Sequence, residues 1–278
     1  MSQPLILKIK KVIQETPNLK TYVFEHGLNA KPGQFVMVWM PGVDEVPMSV
    51  GWQMEKEFHV GIANAGDCTS AIFENVKPGD KLGIRGPYGT TFSLPAKAKH
   101  IILVGGGCGT PPLLSLAQKA VEKKIQVTAI LGARGKDYLV YEKQFKKLGC
   151  DVHIATDDGT KGHKGFCTKV LEKIIEKTKA DAIYTCGPEK MMVKVAQIAQ
   201  DNGIYSEVSL ERYMKCGFGI CGQCCMDDSG MRVCKEGPVI SGELALKHHE
   251  FGKYTRIASG LVRNLLCFFL LPFSLVFL

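Results

Sequence analysis

Five of the chain's eleven cysteines fall between Cys216 and Cys234, in a stretch whose apolar residues follow no helical or strand period. The run is Lys215-Cys216-Gly217-Phe218-Gly219-Ile220-Cys221-Gly222-Gln223-Cys224, with Cys234 after nine further residues. C-x4-C-x2-C with a more distant fourth cysteine is a spacing that serves [2Fe–2S] clusters. Glycine at 217, 219 and 222 permits positive φ and leaves backbone N–H groups to bond sulfur. Four thiolates also suit Zn²⁺, although zinc sites more often pair two short C-x2-C knuckles, so iron–sulfur is the favoured reading. The expected ligands are Cys216, Cys221, Cys224 and Cys234. Cys225 reads as a spare thiol, or as a substitute for Cys224. The segment from 211 to about 243 is too irregular to build its own core, so a metal centre is expected to hold it.

The rest of the chain divides in two. At 278 residues it exceeds the usual single domain. Short apolar runs at 5–13, 21–24, 34–40, 48–52, 58–62 and 81–84, broken by turn residues, predict six strands and a small barrel, with one helix over 69–76. From residue 101 apolar runs alternate with amphipathic segments: strands at 101–104, 126–131, 152–156, 182–186 and 206–210, helices at 111–124, 139–148, 165–177 and 188–202. That alternation predicts a parallel sheet covered on both faces. The fold expected is a β barrel plus an α/β domain: 1–96 barrel, 97–210 nucleotide-binding, 211–258 cluster module, and 259–278 an atypical apolar tail.

Composition narrows the function. With 45% hydrophobic and 22% charged residues, the chain is neither disordered nor fibrous. The formal charge of +8 comes from lysines scattered over 8–11, 119–124 and 143–147, which read as solvated faces; no nucleic-acid motif accompanies them. The first residues lack a charged segment followed by an apolar one, so a reducing, cytoplasmic location is expected for so many thiols.

Two further signals concern nucleotides. Val104-Gly105-Gly106-Gly107-Cys108-Gly109-Thr110-Pro111-Pro112 lies between a predicted strand and helix. Its glycines let backbone approach a pyrophosphate, and Pro suits a first helical turn. Tyr184-Thr185-Cys186-Gly187-Pro188-Glu189-Lys190-Met191-Met192 occupies the same kind of junction, and ligands of open parallel sheets bind at the carboxyl ends of strands, so the two turns should share a crevice. The two methionines alone read as core. Pro47-Met48-Ser49-Val50 and Gly66-Asp67-Cys68-Thr69-Ser70 would by themselves be turns or caps.

Taken in order, these segments resemble the ferredoxin-reductase family of flavoproteins, and within it the iron–sulfur electron-transfer subunits of dihydroorotate dehydrogenases, over residues 4 to 258. The resemblance implies that Pro47, Met48 and Ser49 form the flavin segment. It places the FAD pyrophosphate at Gly66, Cys68 and Thr69. Gly105, Gly106, Gly107, Gly109, Thr110, Pro111, Cys186, Gly187 and Pro188 then serve NAD(H), with NADH against NADPH undecided. Residues 83–89 resemble the turn that closes the barrel. FAD, a [2Fe–2S] cluster and NAD(H) are the implied cofactors, and an FMN-containing dihydroorotate dehydrogenase catalytic subunit the implied partner. The two subunit types would form a heterotetramer serving pyrimidine biosynthesis. No residue is expected to act as a catalytic base. The reductase subunit of a cytoplasmic hydrogenase or sulfur reductase has the same modules, and a zinc-stabilised nucleotide-binding protein is the alternative outside redox chemistry.

Two departures from the family stand out. Val46 occupies the place of an arginine that in many relatives contacts the FAD phosphates; Arg85 or a lysine is a candidate to replace it. Residues 265–278 carry no charge, yet are too short for a membrane span of about 20 residues. A frameshifted or read-through terminus is the expectation there, with a docking or membrane-touching segment as the alternatives.

Overall fold

The computed structural model describes residues 3–257 and 259–265; most of the apolar tail lies outside them. Six strands, β1 (Leu5–Thr16), β2 (Leu19–Phe24), β3 (Phe35–Met40), β4 (Asp44–Met54), β5 (Glu57–Ala63) and β6 (Lys81–Tyr88), close into an antiparallel barrel in the order β1-β2-β5-β4-β3-β6. Alternation of inward and outward residues is clearest in β5, where every second residue is buried. Ile9, Tyr22, Val38, Val60 and Ile84 fill the interior, with Phe24 stacked on Phe58 at 4.9 Å between ring centres. The helix α1 (Asp67–Asn75) adds Cys68 and Ile72 to that core.

The second unit is a seven-stranded sheet. Its strands are β7 (His100–Gly106), β8 (Gln126–Ala133), β9 (Asp151–Thr156), β10 (His163–Lys164), β11 (Ala182–Cys186), β12 (Tyr205–Ser209) and β13 (Val239–Ser241), in the order β10-β9-β8-β7-β11-β12-β13. All pairs are parallel except β12 with β13. The helices α2 (Pro111–Glu122), α3 (Glu142–Lys147), α4 (Cys167–Ile175) and α5 (Glu189–Asp201) connect them. Separate cores cover the two faces, one around Leu113, Leu116 and Tyr184, the other around Val104, Leu171 and Val195. Because β8 lies on one side of β7 and β11 on the other, strand order reverses between β7 and β11, opening a crevice at their carboxyl ends.

The cysteine-rich region is less self-contained than its sequence suggests. It contributes β13 to the sheet and a short helix, α6 (Gly242–Lys247). Met214, Met226, Val233 and Ile240 share a core with Phe35 and Met37 of the barrel and with Met192, Ala196 and Val208 of the sheet domain. β14 (Tyr254–Arg256) pairs antiparallel with β15 (Val262–Asn264), so the segment expected to be an apolar tail from residue 259 opens with a strand.

Candidate functional site

The crevice is made of backbone touching backbone. Gly105 of β7 lies opposite Cys186 of β11 in register, which brings the two strand-to-helix turns together as their sequences predicted. A Cβ on Gly109 would stand 2.5 Å from Gly187 Cα, and one on Gly187, at φ 145°, 2.8 Å from Gly106 O. Neither position accepts a side chain without moving main chain. Gly107 differs: at φ 52° it faces open space, which is the room a pyrophosphate needs. Thr110 is used locally, its hydroxyl donating to Gly107 O at 2.8 Å. Pro111 packs against Gly51 and Gly61 of the barrel, placing the nucleotide turn directly on β4 and β5. Tyr141 clamps the same junction, its hydroxyl 2.8 Å from Thr21 Oγ1.

On β4, strand parity separates the expected flavin residues. Val46, Met48 and Val50 point to the barrel core, whereas Pro47 and Ser49 take the opposite face, the one on which Gly51 meets Pro111. Met48 therefore offers only its backbone. The same holds for Cys68, buried in the barrel core with its thiol 3.3 Å from Asp44 O, where burial raises its pKa. Gly66 faces open space at the start of α1, and the Thr69 hydroxyl accepts from the Gly66 N–H at 2.9 Å. The N–H groups of a helix's first turn have no partner within the helix, so this cradle fits the phosphates of a dinucleotide.

Arg85 is engaged by Glu45 and by the cysteine loop. Its guanidinium donates to Glu45 Oε1 from Nε at 2.8 Å and to the Cys216 carbonyl from Nη2 at 3.1 Å, and lies 5.6 Å from the centre of the Phe218 ring. Lys215 pairs with Asp44 at 3.0 Å. Charges at the start of β4 and on β6 thus hold the start of the cysteine loop against the barrel. Gly217, at φ 79°, lies so close to Met37 that a Cβ would come within 2.7 Å.

The four predicted cysteines come together as two interacting pairs, Cys216 with Cys221 and Cys224 with Cys234. Ile220 N–H donates to Cys216 Sγ and Cys234 N–H to Cys224 Sγ, each at 3.4 Å. Burial alone would raise Cys216, but backbone N–H groups of Cys221, Ile220 and Phe218 outweigh it and lower the thiol to about 6. Cys224, hydrogen-bonded by Cys234, also falls to about 6, and Cys234 rises correspondingly. Among the described residues no three His, Cys, Asp or Glu side chains converge as a single-ion site. These four thiols would hold a [2Fe–2S] cluster, whose iron takes thiolate donors of this kind. Cys225 stays outside, its pKa raised by burial, bridging through its backbone to Arg232.

Sequence reasoning missed a group of acids behind the crevice. Glu211 is solvent-accessible by area yet surrounded by protein in the cleft; burial, then the charge of Glu189, raises its carboxyl to about 7. Glu189 is buried beside Arg212 and Glu250, and its own pKa is raised by burial. Glu189 lay inside the quoted turn motif and Glu211 and Arg212 next to the cysteines, but nothing local predicted that residue 250 would complete the group.

Residues 211–245 match the family model described as the iron-sulfur cluster binding domain of dihydroorotate dehydrogenase B, and residues 103–197 match the oxidoreductase NAD-binding domain. A probable dihydroorotate dehydrogenase B (NAD(+)) electron transfer subunit from Methanocaldococcus jannaschii is 46% identical over 94% of this chain and 98% of its own length. One from Methanocella arvoryzae is 43% identical over 93% and 98%. Among solved structures, an NADH-dependent reduced ferredoxin-NADP oxidoreductase superposes with a TM-score of 0.78 at 28% identity, covering 87% of this chain and 90% of that one. Phthalate dioxygenase reductase shares the fold, at a TM-score of 0.60 and 21% identity over 70% of this chain and 64% of its own. With two thiol pairs, a glycine-lined crevice and a flavin-type barrel in one chain, and with relatives alike over nearly their full length, the chain belongs to the family of dihydroorotate dehydrogenase B electron-transfer subunits.

Proposed function

We propose that this chain carries electrons between NAD(H) and a dihydroorotate-oxidising partner subunit in pyrimidine biosynthesis, using FAD and a [2Fe–2S] cluster. The observation that carries the reading is continuity: the crevice opens onto β4, and the first residues of β4 also anchor the cysteine loop. Gly105, Gly106, Gly107, Gly109, Thr110 and Pro111 take the NAD(H) pyrophosphate, and Cys186, Gly187 and Pro188 seat the nicotinamide. Pro47, Ser49 and the backbone of Met48 line the flavin ring, and the α1 cradle at Gly66, Thr69 and the backbone of Cys68 takes the FAD phosphates. Cys216, Cys221, Cys224 and Cys234 hold the cluster. Bound FAD supplies the conversion between hydride transfer and single-electron steps. The chain's own groups act by placing these partners in contact and keeping the crevice walls fixed.

The partner in this reading is an FMN-containing catalytic subunit that oxidises dihydroorotate to orotate, with net electron flow to NAD⁺ and a heterotetramer of the two subunit types in the cytoplasm. A dihydroorotate dehydrogenase partner is supported by the names of relatives that this chain matches nearly end to end, and a reducing location by ten described cysteines that are all free thiols. Co-expression with the catalytic subunit tests it. Dihydroorotate-dependent NAD⁺ reduction is expected only when both chains are present, in a complex whose mass by light scattering equals two of each. A chain that forms no complex and adds no such activity would refute the assignment.

A further inference from the structure

Arg212 lies four residues before Cys216, its side chain only 3% exposed, between two carboxylates that are 8% (Glu189) and 4% (Glu250) exposed. Its Nη1 donates to Glu189 Oε1 and, at 2.7 Å, to the Glu211 carbonyl; its Nε donates to Glu250 Oε1 at 2.9 Å. The second oxygen of each carboxylate is also engaged. Glu189 Oε2 accepts from Gly252 N–H and Glu250 Oε2 from Asp227 N–H, both at 2.7 Å. Glu189 is the first residue of α5, immediately after Cys186, Gly187 and Pro188. Asp227 sits between Cys224 and Cys234. One buried guanidinium is therefore bonded to the end of the nicotinamide turn and, through Glu250, linked to Asp227 inside the cysteine loop.

Stability alone does not account for this arrangement. Two carboxylates around one guanidinium leave charge out of water, and apolar residues of similar volume commonly stabilise a core as well or better. What a planar guanidinium fork adds is fixed geometry, because a carboxylate that turns on one side drags the fork and with it the other side.

We propose that Arg212 is a positioning residue that couples the nicotinamide turn to the cysteine loop, so that nicotinamide occupancy and the redox state of the cluster change each other's free energy. This rests on the nicotinamide and cluster placements proposed above. Linkage is reciprocal: a nicotinamide that displaces Glu189 alters the cluster's surroundings, and reduction of the cluster alters nicotinamide affinity by the same factor.

The test uses the anaerobically purified, cofactor-loaded chain and tetrahydro-NAD, an analogue of NADH that donates no hydride. Flavin absorbance reports its binding, and redox titration followed by electron paramagnetic resonance reports the cluster. In the wild type, analogue affinity is expected to differ at least about fivefold between oxidised and reduced cluster, the lower end of ordinary couplings. Glu189→Gln keeps the shape and the acceptor for Gly252 but removes the charge that holds Arg212; Arg212→Lys cannot bridge both acids. In either variant the difference should vanish while flavin perturbation and the cluster signal persist. ADP-ribose, which lacks the nicotinamide, should produce no difference in any of them. A wild-type cluster unmoved by an analogue that does perturb the flavin overturns the coupling and leaves the nicotinamide placement standing. An analogue that never perturbs the flavin overturns both. Full coupling in Glu189→Gln removes Arg212 from the account, and this variant decides the matter should Arg212→Lys not fold.

Discussion

The glycine-lined crevice and the cysteine loop are neighbours built in opposite ways. The crevice is a contact of main chain with main chain, Gly109 on Gly187 and Gly187 on Gly106, stiffened by the parallel strands beneath it. The loop lacks its own sheet and is held by side chains: Arg85 on the Cys216 carbonyl, Lys215 on Asp44, and a core borrowed from both other units. A backbone-built site tolerates no added atom at its contact points but survives changes around them. A side-chain-built site depends on a few groups that cannot be replaced, above all its thiols.

The largest effect that follows is at the thiols. Cys216→Ser or Cys234→Ser should reduce bound iron and sulfide to background and make the region after residue 210 sensitive to limited proteolysis, since metal binding and folding are linked there. Cys224→Ser sharpens the point: iron retained in it would mean that Cys225 has stepped in.

In the crevice, Gly109→Ala forces a Cβ to 2.5 Å from main chain. Overpacking of this kind costs about 1–3 kcal/mol, and flavin reduction by NADH should slow with it. Gly107→Ala meets no neighbour, so only the left-handed backbone opposes it, at about 1–2 kcal/mol. If denaturant titration ranks Gly107→Ala as the costlier of the two, the backbone-contact account of the crevice is wrong. Tyr141→Phe should cost about 1 kcal/mol, the net worth of its bond to Thr21.

The smallest effect concerns pH. Glu211 titrates at about 7 in the folded chain, above its ordinary range, so the folded state holds this proton more tightly than the unfolded one. Its contribution to stability is therefore best in acid and is lost as pH rises from the ordinary carboxylate range toward 7. Glu211→Gln should flatten that part of the stability curve, measured by denaturant midpoints between pH about 5 and about 8. An unchanged slope would place the titration elsewhere.

Much of this was legible in the sequence because its signals are local. Cys216, Cys221, Cys224 and Cys234 carry their spacing with them, and the barrel strands and the β-α alternation appear where the apolar runs put them. What escaped depends on distant chain. β13 has three residues and earns its place only by pairing with β12, and the core of the cysteine region exists because Phe35, Met37 and Val208 complete it. Met48 and Cys68 matched a family pattern, and strand parity and burial turn their side chains into the barrel core. Arg85 is the opposite case, since its distance from the cysteines in sequence concealed its bond to the Cys216 carbonyl.

The most direct test of the central claim is a visible and electron paramagnetic resonance spectrum of the anaerobically purified chain, with iron, sulfide, zinc and flavin analysis, before and after NADH. The account predicts iron and inorganic sulfide in equal amounts together with FAD, bleaching of the flavin and appearance of a reduced-cluster signal on adding NADH. Zinc in place of iron, with no flavin and no response to NADH, would contradict it.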